Sequence, residues 1–183
     1  MSWHELVYHW GTTAEERARP FPCDDALPGA DTALYRGVDV AAPAALAFRW
    51  LCQLRVAPYS YDWIDNGGRR SPQQLTPGLE ALAVGQPVCR IFDLVSFEPD
   101  VHLTLRLRRA GLFPPVAISY VVAPVDGWRC RLLAKLALRH RPGLADRVAR
   151  ALLPAGDLVM MRRQLLNLAA LAARDAARRR VFA

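Results

Sequence analysis

Long apolar runs are missing from this chain of 183 residues. No stretch of about 18 apolar residues occurs, so no segment is expected to insert through a membrane. Close cysteine pairs are missing too. Cys23, Cys52, Cys89 and Cys130 include no C-x-x-C, which removes the usual metal-clip and dithiol signatures. No histidine pair or acidic cluster has metal-ligand spacing, so neither a metal nor another cofactor is expected. Ser60 and Ser71 lack a G-x-S-x-G setting, which sets serine-hydrolase chemistry aside. Gly67-Gly68-Arg69-Arg70 matches neither a P-loop nor a dinucleotide fingerprint. The start, Trp3-His4-Glu5, is not a basic patch leading into an apolar run, so no secretory signal is expected. A cytoplasmic protein with reduced thiols is the corresponding expectation.

What is present suits a folded domain. Apolar residues make up 52% of the chain and charged residues 22%. The net charge is +7, and the excess is arginine. Such a balance permits contact with nucleic acid or an anionic surface. The arginines, however, are spread along the chain and end in Arg178-Arg179-Arg180 with no nucleic-acid motif beside them. They read as a solvated surface, and no nucleic-acid partner is expected.

Residues 1–31 read as an irregular arm. Pro20, Pro22 and Pro28 forbid a long helix there, and Trp3, Leu6, Tyr8 and Trp10 call for packing on the domain formed by residues 32–183. Residues 33–40 alternate as a strand. Ala44 to Leu54 forms a helix with Leu46, Trp50 and Leu54 on one stripe. Next comes the densest motif in the chain, Tyr59-Ser60-Tyr61-Asp62-Trp63, in a segment that Pro58, Gly67 and Gly68 mark as loop. Rings beside a carboxylate can rim a pocket, or they can plug the end of a core.

From Val88 the period is two. Strands are expected over 88–97, 101–108, 116–122 and 128–139, with Asp126-Gly127 as a hairpin turn. One sheet face should be apolar and the other wet. Leu144 to Leu153 is helical, Pro154 and Gly156 break or kink it, and Asp157 is a candidate cap for a helix reaching about Arg180. Along that helix Leu158, Met161, Leu165, Ala169 and Ala172 make an apolar stripe, and the angle of Arg162 falls inside it. The fold class is therefore α+β. A long amphipathic helix must cover the apolar face of an antiparallel sheet, and a strongly curved sheet can leave a cavity between them.

Several motifs together resemble the START-like, SRPBCC superfamily, which includes polyketide cyclase/dehydratases. They are Trp10-Gly11-Thr12-Thr13 with Glu15-Glu16, Ala42-Pro43, Trp50-Leu51-Cys52-Gln53-Leu54, the YSYDW run, Val84-Gly85 and Met160-Met161-Arg162-Arg163-Gln164-Leu165. Narrowly, they look like a bacterial, largely uncharacterised subgroup of it. The resemblance implies a helix-grip fold, a curved antiparallel sheet around a long C-terminal helix, and a small hydrophobic ligand. It does not imply a reaction, because this fold hosts binders and enzymes alike.

Three readings follow. In the first, Trp50, Gln53, Tyr59, Tyr61, Trp63, Phe92, Tyr120, Met161 and Leu165 line a cavity for a lipid-like, aromatic or polyketide-like molecule, with Asp62 and Arg162 as polar orienters. In the second, a cyclase or dehydratase uses Asp62 for proton transfer, Tyr59 and Tyr61 to polarise a carbonyl, and Arg162 to hold an anionic group. Against these stand plainer roles: Asp62 as a turn residue, the tyrosines as packing, Arg162 in an internal ion pair. The third reading is an interaction protein with a collapsed cavity, forming a homodimer through its N-terminal arm.

Overall fold

The computed structural model describes residues 2–109 and 113–181, with side chains to residue 180. Six strands form one antiparallel sheet in the order β1-β6-β5-β4-β3-β2. They are β1 Thr32–Val40, β2 Pro87–Val88, β3 Phe92–Glu98, β4 His102–Leu107, β5 Val116–Pro124 and β6 Cys130–Leu138. The helices are α1 Trp3–His9, α2 Ala14–Arg17, α3 Cys23–Ala26, α4 Ala44–Cys52, α5 Asp62–Asp65 and α6 Leu144–Val181. A 3-10 turn over Gln53–Arg55 continues α4.

The inward residues of each strand are set by the two-residue period. Leu34, Val38 and Val40 of β1, Leu103 and Leu105 of β4, and Leu132, Ala134 and Leu136 of β6 share one buried cluster with Met161, Leu165, Leu168 and Ala172 of α6. One long helix thus lies along the sheet's apolar face, the helix-grip arrangement. Trp50 and Leu51 of α4 fill the same layer.

Four details depart from the sequence-based expectations. The expected strand 88–97 divides into β2 and β3, because Cys89 and Arg90 take left-handed φ values of 46° and 63°. The helix does not break at Pro154. It runs through from Leu144 to Val181, and Asp157 pairs with Arg36 instead of capping a new helix. The outer face of the sheet is not wholly wet. Phe21, Cys23 and Leu27 of the arm cover Ala117, Leu133 and Ala137. Thr104 and Ser119 lie beneath with no exposure, and the Ser119 hydroxyl accepts from the Cys23 amide at 2.8 Å. Finally, Arg162 is exposed, its guanidinium 5.4 Å from the Trp10 ring centre. A charge on the edge of the stripe escapes to solvent when its stem can reach.

The Trp10-Gly11-Thr12-Thr13 motif is an anchor for the arm. Thr13 and Glu16 form a reciprocal capping box on α2. Glu16 also accepts from Arg131 Nε at 2.7 Å, while Arg131 Nη2 donates to the Gly11 carbonyl. Gly11 has φ of 74°, and a Cβ there would stand 2.1 Å from the Gly37 carbonyl oxygen of β1. Gly11→Ala therefore has both a strained φ and a backbone clash. It should destabilise by about 2–3 kcal/mol, measured by urea unfolding, with the loss expressed as release of the arm.

Candidate functional site

The aromatic motif sits against the middle of α6, and polar side chains of that helix shape it. Tyr59 adopts φ of 56°, a left-handed conformation that costs a non-glycine residue about 1 kcal/mol or more. Two amides hold it. Gln164 Nε2 donates to the Pro58 carbonyl at 2.6 Å, and Asn167 Nδ2 donates to the Tyr59 carbonyl at 2.8 Å. Ser60 Oγ donates back to the Met160 carbonyl at 3.0 Å. The other end of the Gln164 amide accepts from Tyr120 Oη at 2.7 Å, which ties the turn through α6 to β5.

The Tyr59 ring meets Trp50 edge to face, with centroids 6.0 Å apart. The residue is 1% exposed, yet its hydroxyl has no hydrogen-bond partner among the described residues. Burial pushes the phenol up to about 12, and the nearby Asp62 charge adds to the shift. Burial likewise raises Tyr120 well above its ordinary value. Both phenols are therefore neutral donors near pH 7. Trp50 has no exposure, and its Nε1 donates to Asp175 Oδ2 at 3.2 Å.

The remaining residues singled out from the sequence are scattered in role. Met161 and Leu165 are buried in the core and Phe92 is half-buried against it. Gln53 is wholly buried, but its amide is occupied. It donates to the Thr76 carbonyl and accepts from the Thr76 amide at 2.9 Å, stapling the loop after α5 to the end of α4. The Asp62 carboxylate accepts from the Ser71 amide at 2.8 Å and the Ser71 hydroxyl at 2.5 Å, the arrangement of a turn residue. Tyr61 is half-buried, with the Arg163 guanidinium 5.9 Å from its ring centre. Trp63 is 76% exposed and faces away from the interior, since α5 turns it outward. Arg162, as described, is outside as well. The structure thus brings Trp50, Tyr59, Tyr120, Met161 and Leu165 together and leaves Trp63 and Arg162 apart.

A buried ion pair lies further along the same helix. Arg36 has no exposure and donates through Nε and Nη2 to Asp157 Oδ2, at 3.0 and 2.8 Å. Its other N–H groups donate to the Tyr35 and Pro154 carbonyls. Burial raises the Asp157 carboxyl to about 6, with Arg36 pulling the other way, and burial lowers the Arg36 guanidinium. Neither role was anticipated. The signals were there: Arg36 has the inward parity of Leu34 and Val38, and Asp157 stands four residues before Met161 on the buried stripe.

These observations define an α+β chain with the helix-grip fold and an interior aromatic cluster bearing one unpartnered hydroxyl. Solved structures share the fold. A hypothetical protein of Helicobacter pylori is 17% identical with a TM-score of 0.53, covering 85% of this chain and 96% of that one. A protein of Arthrobacter aurescens is 10% identical with a TM-score of 0.50, covering 78% and 86%. The Zhui aromatase/cyclase of a Streptomyces species is 15% identical with a TM-score of 0.48, covering 80% and 94%. At these identities the first two likenesses concern the fold alone. No family model matches the chain, and no curated protein does.

Proposed function

We propose that this protein binds a small hydrophobic molecule carrying one neutral hydrogen-bond acceptor, such as a carbonyl, against Trp50 and Tyr59 beneath α6. The unpartnered Tyr59 hydroxyl carries the reading. A buried donor left unpaired costs roughly 1–3 kcal/mol, and here it is combined with a strained backbone at the same residue. Tyr120, Met161 and Leu165 supply apolar surface around it. Access is by displacement of residues 66–86, which hold no helix or long strand and include Gly67, Gly68, Gly78 and Gly85 at left-handed φ.

Binding is favoured over catalysis by two features. The Asp62 carboxylate is committed to Ser71, and the Tyr59 phenol is raised to about 12, far from a proton-transfer group working at neutral pH. A cyclase or dehydratase would need a different acid or base.

Native mass spectrometry of the purified protein should show a co-purified adduct. Tyr59→Phe should weaken its retention about tenfold while leaving the melting temperature unchanged or raised, because an unpaired hydroxyl is removed. Full retention by the Phe variant would assign Tyr59 to packing alone.

A further inference from the structure

The side of α6 turned away from the sheet is apolar along much of its length. Leu152, Val159 and Leu166 recur seven residues apart, two helical turns, and are 66%, 53% and 41% exposed. Val148 lies one turn before Leu152 and is 49% exposed. Ala155 and Gly156 lie between Leu152 and Val159, and Ala170 follows Leu166. Exposed aliphatic side chains at random positions are ordinary, but a recurring row of them on a surface helix, here interrupted by Arg163 between Val159 and Leu166, is not.

The charges that α6 itself brings to this stripe have one sign. α6 carries eight arginines and three aspartates. None of the three aspartates is available on the stripe: Asp146 is bound by Arg141, Asp157 by Arg36, and Asp175 by Trp50 and Arg174. Arg147, Arg162 and Arg163 form no ion pair among the described residues. Arg162 and Arg163 sit beside Val159, their guanidinium groups held at the surface on the rings of Trp10 and Tyr61.

We propose that this face of α6 docks on an anionic lipid surface. An amphipathic helix lying in a membrane interface presents this combination, aliphatic residues to the acyl boundary and arginines to the headgroups. A second copy of the chain fits less well. An isologous contact sets the same stripe against itself, so the arginines of α6 would approach with no free carboxylate of α6 to meet them. Docking of this kind is peripheral: among the described residues no helix is long and apolar enough to cross a membrane.

The test is co-sedimentation of the full chain with phosphatidylcholine vesicles, with and without phosphatidylserine. The protein should pellet with the anionic vesicles and be released by salt. Leu152→Gln/Val159→Gln should weaken that binding by about tenfold or more. Arg162→Gln/Arg163→Gln should weaken it by about tenfold, with both variants keeping the wild-type melting temperature. Failure to pellet, or equal binding to neutral vesicles, overturns the proposal. So does a wild-type dimer in sedimentation velocity that Leu152→Gln/Val159→Gln converts to monomer, since the stripe would then belong to a second copy.

Discussion

Asp157→Leu should lower the stability of the fold by about 3–5 kcal/mol in chemical denaturation at neutral pH. The substitution leaves the Arg36 guanidinium, which has no exposure, charged and unpaired inside the core. Arginine cannot relieve this by losing its proton. Arg36→Met should cost less, because the stranded Asp157 carboxyl can take up a proton. The double variant Arg36→Met/Asp157→Leu should recover to within about 1 kcal/mol of wild type or exceed it, since an apolar pair avoids the desolvation of both ions. A double variant as unstable as Asp157→Leu alone would show that the pair is needed for packing and not merely for mutual compensation.

The same pair sets a pH dependence. The Asp157 carboxyl is raised from 3.8 to about 6 by burial, so the folded state holds that proton more tightly than the unfolded chain. Its contribution to stability is therefore full below about pH 4 and declines as pH rises through about 6. The loss is on the order of 2–3 kcal/mol. Asp157→Asn removes the titrating group, so the difference between wild type and variant should slope over this window. A flat difference would mean that Arg36 holds the carboxylate ionised throughout.

Gln164→Leu is the second large effect, about 2–4 kcal/mol. One amide bonds both the Tyr120 hydroxyl and the Pro58 carbonyl, and its removal leaves two buried polar groups unpaired. The loss is also local. Without that bond the left-handed turn at Tyr59 keeps only the Asn167 amide and the Ser60 bond to α6. Amide exchange over residues 59–62 should accelerate more than in the sheet. Uniform acceleration over the whole chain would indicate that Gln164 supports the global fold without a special hold on the turn.

The legible part of this protein was its layering. Alternation in β1, β4, β5 and β6 and the helical stripe through Met161, Leu165 and Ala172 each give one apolar face, and two such faces have few ways to pair. The break between β2 and β3 was hidden because nothing local marks Cys89 and Arg90 as left-handed. Pro154 misled because a proline ordinarily ends a helix. Here the surrounding turns are fixed by packing on β1, and Arg36 donates to the proline's own carbonyl. Gln164 and Asn167 carry polar side chains that spacing along α6 assigns no partner, and they turn onto the carbonyls of the Tyr59 turn. Thr104 and Ser119 read as wet until the arm covered them.

Periodicity, then, was enough to determine the elements, their apolar faces and the α+β class, because each depends on neighbours along the chain. The tertiary structure alone decided which polar residues belong together: Arg36 with Asp157, Gln164 with Tyr120 and Pro58, Asp62 with Ser71. Those pairings join distant positions, and a hydrogen bond or ion pair is specified by atoms within about 3 Å of one another, a condition that spacing along a sequence does not express. The free hydroxyl of Tyr59 belongs to the same category, since a missing partner is visible only once every possible partner has a place.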